Sequence, residues 1–142
     1  MLGRDWRRFT FIDLGAGKGR ALIASAPFGF KSLVGVEFVP TLVETARKNL
    51  AKVGLSNSVM ICDDASAYRF PPCNLVVFFY NPFAAELMRT VVDNLRADPR
   101  GELCGIYVRP MHVAVLRVCG FLEPVFSRPN LTVWKSKAAP GP

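Results

Sequence analysis

The sequence predicts an α/β fold, a three-layer αβα sandwich on a mostly parallel sheet. Three observations carry this. Short apolar runs alternate with segments of helical periodicity along nearly the whole chain. A glycine cluster, Gly15, Gly17 and Gly19, follows the first run directly and opens the first helical segment. The last two runs follow one another with no helix between them, which places one antiparallel strand near the C-terminus of a seven-stranded sheet.

The elements follow in order. Phe9–Leu14 reads as a buried strand that the glycines end. A helix is expected over 18–26, stopped by Pro27 and Gly29. Ser32–Glu37 is the second strand. Pro40 takes a first-turn position, where its missing N–H costs nothing. Leu42, Val43, Ala46, Leu50 and Val53 then recur at helical spacing up to Gly54. The third strand is expected over 59–62. Pro71 and Pro72 break the chain before Asn74–Tyr80, whose unbroken apolar run suits a central strand covered on both faces. A helix over 84–96 carries Leu87, Met88, Val91, Val92 and Leu95 on one side. A strand over 102–108, a helix over 111–118 and strands over 121–126 and 131–134 complete the set, the last two joined at Arg128, Pro129 and Asn130. Crossovers are expected to be right-handed.

A length of 142 residues gives one domain, expected over 1–137, with 138–142 as a flexible tail. Hydrophobic residues make up 51% and charged residues 20%, which argues against a disordered chain. No apolar run reaches the roughly 18 residues of a membrane span, and the first residues lack a signal-peptide stretch. No membrane partner and a cytoplasmic location are therefore expected. Cys62, Cys73, Cys104 and Cys119 form no C-x-x-C pair and stand with a single histidine, His112. Metal ligands would be clustered, so no metal is expected, and the thiols read as reduced. The net charge of +7 attracts anions, nucleic acid among them. The basic residues are scattered, so nucleic acid stays open as a partner without being favoured.

Four segments carry the chemistry, each at the C-terminal end of an expected strand, where open α/β sheets bind ligands. The first is Asp13-Leu14-Gly15-Ala16-Gly17-Lys18-Gly19. Glycines allow the tight turn and let a ligand approach the backbone. A dinucleotide site has G-x-G-x-x-G, whereas this chain has G-x-G-x-G with Arg20 in the third glycine's place. Asp13 suits a ligand with a cationic amino group and would repel a pyrophosphate. The second is Glu37-Phe38. Glu37 lies near the roughly 20-residue offset of the acid that holds ribose hydroxyls, and a carboxylate can accept from both at once. The third is Asp63-Asp64-Ala65, where an acid can accept from an adenine amino group and a neighbouring N–H can reach a ring nitrogen; a turn or helix cap is the alternative. The fourth is Phe79-Tyr80-Asn81-Pro82-Phe83, which the same residues could instead use only to turn the chain.

Together these segments resemble the class I S-adenosylmethionine-dependent methyltransferases, from Phe9 to about Trp134. Asp13, Gly15, Gly17 and Gly19 match that family's first motif, Glu37 its ribose-binding acid, and Asp64-Ala65 its adenine contact. The resemblance implies a Rossmann-like sheet with an antiparallel seventh strand. It implies S-adenosylmethionine as cofactor and S-adenosylhomocysteine as product. The cofactor-binding residues would be Asp13, Gly15, Ala16, Gly17, Gly19, Glu37, Phe38, Asp64, Ala65 and Asn81. The catalytic ones would be Asn81, Pro82 and Phe83, which look like a shortened Asn-Pro-Pro-Tyr motif of amino-group methyltransferases. A loosely similar Asn-Phe element occurs in non-SET histone lysine methyltransferases. Methyl transfer to a nitrogen of a small molecule or a protein side chain follows as the expectation, with Tyr80 or Phe83 walling the pocket.

Two other readings stay open. One is nucleic-acid methylation, supported by the basic balance and Asn81-Pro82. The other is a non-catalytic cofactor-binding or scaffold domain, supported by the short stretch before the first strand, where the family carries helices that help close the site. Apolar surface left uncovered there makes a homodimer an expectation. His112 is a secondary candidate for a base. Trp6, Arg7 and Arg8 are a cluster able to reach cofactor or substrate.

Overall fold

A computed structural model describes residues 3–80, 83–97 and 101–138. The chain runs β1 (Phe9–Leu14), α1 (Arg20–Ser25), β2 (Ser32–Glu37), α2 (Pro40–Lys52), β3 (Ser58–Cys62), β4 (Asn74–Tyr80), α3 (Ala85–Ala97), β5 (Leu103–Val108), α4 (Val113–Val118), β6 (Leu122–Arg128) and β7 (Leu131–Ser136). One seven-stranded sheet has the order β3-β2-β1-β4-β5-β7-β6. The pairs from β3 across to β5 are parallel. Only β7 runs the other way, antiparallel to both β5 and β6. This is the expected three-layer Rossmann-like sandwich with one antiparallel strand near the C-terminus.

Alternation along the strands divides the core in two. Ile12, Leu14, Val36, Val77, Phe79 and Tyr107 face Met88, Val91, Val92 and Leu95 of α3 and Val115 and Leu116 of α4. On the other side Phe9, Phe11, Leu33 and Met60 face Leu22 of α1 and Val43, Ala46 and Leu50 of α2. Each buried Val, Leu, Ile, Phe or Met side chain among these contributes about 1.5–3 kcal/mol. Gly35 shows how tight the second layer is. A Cβ there would come within 2.3 Å of the Met60 sulfur and 3.0 Å of Ala16 Cβ and of Leu22 Cδ1. Strand β2 carries glycine so that α1 can lie directly on the sheet.

Several boundaries differ from the sequence reading, each for a local reason. Helix α1 starts at Arg20 rather than 18, because Gly19 takes a left-handed φ of 84° and holds Lys18 in the loop. It passes into a 3-10 turn, Ala26–Phe28, that Gly29 ends at φ 73°. Helix α4 starts at Val113 rather than 111, since the Met111 N–H turns back to the Arg109 carbonyl at 2.9 Å. Strands β6 and β7 are longer than expected because their turn is tight, with a bulge between Pro124 and Phe126. The connection from β3 to β4 has no helix. Tyr68 and Phe70, edge to face at 5.1 Å, fill that part of the core instead.

Trp6 packs on Phe9 at 5.3 Å and Phe30 at 5.5 Å. Phe9 begins β1, so the Trp6, Arg7 and Arg8 cluster sits at the end of the sheet opposite the glycine loop. The expectation that it reaches the ligand crevice is corrected by the direction of one strand. Among the described residues no helix is long and apolar enough to cross a membrane.

Candidate functional site

Strand order reverses between β1 and β4, so the loops leaving their C-terminal ends diverge and open a crevice. The glycine loop forms its floor. Gly15, Gly17 and Gly19 all adopt positive φ, at 79°, 54° and 84°. The Val36 carbonyl accepts from both Gly15 N–H at 2.8 Å and Ala16 N–H at 3.0 Å, which straps the loop to β2.

Glu37 is engaged on both oxygens. Oε1 accepts from Gly17 N–H at 3.0 Å and Oε2 from Val39 N–H at 3.2 Å. One carboxylate thus ties the glycine loop to the entry of α2, and each oxygen keeps a lone pair for a further donor. Asp13 is 4% exposed. Burial, with the nearby Glu37 charge adding to it, pushes its carboxyl up to about 7. Asp64 Oδ1 accepts from both the backbone N–H and the hydroxyl of Ser66 at 2.8 Å, and these bonds hold its carboxyl below the usual range. Asp63 Oδ1 accepts from Asp64 N–H at 2.8 Å, and Asp63 N–H donates to the Glu37 carbonyl. The acids at the ends of β2 and β3 are therefore stitched together through backbone.

Two cavities open from this arrangement. One, of about 510 Å³, is lined by Glu37, Phe38, Asp63, Asp64, Ala65 and Phe83 among others. The other, of about 560 Å³, is lined by Asp13, Ala16, Gly17, Lys18, Arg20 and Phe78 among others. They adjoin, since Gly15 and Tyr80 border both. Phe38 stands 70% exposed at the rim of the first, an aromatic face with nothing laid on it by the described residues.

A family model described as a methyltransferase domain matches residues 11–97, from within β1 to the end of α3. The chain belongs to that family. It is a methyltransferase domain. Among curated proteins it is 32% identical over 55 residues to the Homo sapiens EEF1A lysine methyltransferase 2, a match spanning 39% of this chain and 23% of that protein. Among solved structures it resembles a SAM-dependent methyltransferase from Aquifex aeolicus, with a TM-score of 0.65 at 15% identity over 89% of this chain and 80% of that one. It also resembles the mitomycin 7-O-methyltransferase MmcR, with a TM-score of 0.72 at 15% identity over 95% of this chain and 50% of that one.

Most of the residues that the sequence singled out gather in this crevice. Gly15, Glu37, Phe38, Asp64, Ala65 and Phe83 border the first cavity, and Asp13, Gly15, Ala16 and Gly17 the second. Gly19 borders neither; a Cβ there would face Ala46 at 3.5 Å, so it serves the approach of α1 to α2. Asn81 and Pro82 lie outside the described residues. His112 borders neither cavity, and its backbone N–H donates to the Tyr107 hydroxyl at 3.2 Å. Arg20, noted in the sequence only as standing in the third glycine's place, lines the second cavity, and sequence reasoning missed Leu87, Phe78 and Ala21 as lining residues. Leu87 had been read only as part of the buried stripe of α3, and no motif marks the other two.

Proposed function

We propose that the protein transfers the methyl group of S-adenosylmethionine to a nitrogen of a small molecule or protein side chain, at the crevice between β1 and β4. One observation carries this reading. Asp13, Glu37 and Asp64 end three neighbouring strands and border adjoining cavities around a left-handed glycine loop.

The residues fit that cofactor. Asp13 is a nearly buried carboxyl whose pKa is raised, and among the described residues no cation forms an ion pair with it. A ligand's ammonium group placed there would pair with it and restore its charge. Glu37 has lone pairs for two ribose hydroxyls. Asp64 keeps Oδ2 for an adenine amino group while Ala65 offers its N–H to a ring nitrogen. Phe38 and Leu87 flank the space for a flat ring system.

When bound, the cofactor supplies an electrophilic methyl on a sulfonium. The chain's own work is alignment of the nucleophile with that carbon. The Asn81 side-chain oxygen and the Pro82 carbonyl would accept from the acceptor's N–H and stabilise positive charge growing on nitrogen. Phe83 and Tyr80 would wall the acceptor. Protein side chains and small molecules both remain as acceptors, as the names of the relatives above span both kinds.

Calorimetric titration with S-adenosylmethionine and S-adenosylhomocysteine, with NAD as control, tests the reading. Binding of the two adenosyl ligands without NAD is expected. Failure of both to bind would overturn it in favour of a scaffold. An Asn81→Ala variant that keeps full turnover on an identified acceptor would remove Asn81 from the mechanism.

A further inference from the structure

Arg109 follows the last residue of β5 and has no role in the reading above. It is the one non-glycine with positive φ among the described residues, at 50°. An L-residue pays for that conformation, and glycine would not. Two backbone bonds impose it. Arg109 N–H donates to the Asn130 carbonyl at 2.9 Å, and the Arg109 carbonyl accepts from Met111 N–H at 2.9 Å. Asn130 lies in the turn before β7, and Leu131 of β7 pairs with Val108. The single antiparallel strand thus delivers the clamp to the end of the sheet where the crevice opens.

The clamped residue is an exposed arginine rather than a glycine. Its guanidinium lies over Tyr80, 5.7 Å from the ring centroid. Tyr80 is 52% exposed and borders both cavities. Among the described residues no carboxylate forms an ion pair with Arg109. Lys18 and Arg20 line the second cavity with Asp13 and Tyr80. Asp13, Glu37, Asp63 and Asp64 line the two cavities, Asp13 in the same one as Lys18 and Arg20, while Arg109 borders neither and stands over Tyr80, which borders both.

We infer that Arg109 is a specificity residue for a small methyl acceptor that carries an oxyanion, a carboxylate or a phosphate, beside the nitrogen to be methylated. The inference rests on the methyl-transfer reading and names its substrate class. A planar guanidinium recognises both oxyanions by paired N–H donors. Held against Tyr80, it loses little freedom on binding, and the two backbone bonds hold its Cα in place despite the strain. A lysine ammonium approaching Tyr80 would instead meet the Arg109 guanidinium. The two adjoining cavities that Tyr80 borders, about 510 and 560 Å³, together exceed one small-molecule pocket and leave room for a small acceptor beside the cofactor.

The test measures labelled-methyl transfer from S-adenosylmethionine to amino acids and aminoalkyl phosphates. Each is paired with its amide or alcohol counterpart, and a lysine peptide and a short RNA are run alongside. The wild type and the Arg109→Gly variant are compared, with S-adenosylhomocysteine affinity and thermal midpoint measured for both. Transfer to the oxyanion member of a pair is expected; the two arms distinguish carboxylate from phosphate. Arg109→Gly should raise KM for that acceptor ~10- to 100-fold, as loss of a charged hydrogen bond does, with kcat nearly retained. S-adenosylhomocysteine affinity should not change and the thermal midpoint should not fall. Equal transfer to the neutral members, transfer only to the peptide or RNA, or no transfer to any oxyanion acceptor while S-adenosylhomocysteine binds would overturn the inference. So would an unchanged KM in the variant. Failure of S-adenosylhomocysteine to bind the wild type would instead sink the methyl-transfer reading, and this one with it.

Discussion

Where β1, β2 and β3 end, backbone N–H groups are held by carboxylates and a carbonyl; where β4 and β5 end, side chains stand against one another. In the first region Glu37 grips Gly17 and Val39, Val36 grips Gly15 and Ala16, and Asp64 grips Ser66. In the second, Arg109 lies over Tyr80 and is oriented by a distant turn. The first region is preorganised around a fixed shape, as suits one invariant ligand. The second holds exposed side chains on a rigid frame, where one substitution can change what is recognised without moving the frame. The fold is shared with a structure named as a mitomycin 7-O-methyltransferase, so what is recognised is set by the site rather than by the fold.

Four measurements would break or sharpen this contrast. The largest effect is expected at Asp13. Below about pH 4 its carboxyl is neutral both folded and unfolded; above about pH 7 the folded protein must bury a charge. Unliganded stability should therefore fall as pH rises from about 4 to about 7 and level off above, by on the order of 4 kcal/mol from this group. Asp13→Asn should flatten that slope in denaturation curves. S-adenosylmethionine affinity should move the other way, weakening below about pH 7, where Asp13 must give up a proton to pair with an ammonium. An affinity independent of pH between 5 and 8 would remove Asp13 from the ligand's amino group.

Next is Glu37→Ala, which should weaken S-adenosylhomocysteine by roughly 1.5–3 kcal/mol, or ~10- to 100-fold, with the fold retained. Unchanged affinity in calorimetry would show that Glu37 only ties the loop. Gly35→Ala follows. Its Cβ would press on Met60, Ala16 and Leu22, so chemical denaturation should show a loss of about 1–3 kcal/mol. Ligand affinity should fall with it, because Ala16 belongs to the loop. A variant that loses stability but binds normally would mean that the loop is held from β2 alone.

The smallest effect is the stability of Arg109→Gly. Relief of the left-handed backbone is worth ~1–2 kcal/mol, offset by the freedom glycine adds to the unfolded chain. The thermal midpoint should stay or rise by up to about 2–4 °C. A clear fall would mean that the stacking on Tyr80 is structural, and the contrast between the two regions would lose its basis.

The two regions also differ in how far their sequences could be read. β1, β2 and β4 were legible to the residue, because each is an apolar run closed by glycine, an acid or proline. The glycine loop, Glu37 and Asp64 were legible because their contacts are short in sequence or set by strand ends. What escaped was non-local. Nothing near Trp6 marks it as belonging to the far end of the sheet, since that depends on the direction of β1. Nothing near Gly19 tells a ligand-facing glycine from one that admits α2; only the Ala46 neighbour does. The helix-free path from β3 to β4 was foreshadowed only by Pro71 and Pro72, while Tyr68 and Phe70 take over the core position.

The sequence by itself determined the layer architecture, the parallel sheet and the acid-lined half of the crevice. Periodicity, turn residues and strand-end acids are local quantities, and each acts within a few residues of where it is written. Only the tertiary structure decided the other half. Arg109 gains its meaning from Asn130, 21 positions later, and from Tyr80, 29 positions earlier. Strand register brings these three together, and register is a property of the closed sheet rather than of any segment in it.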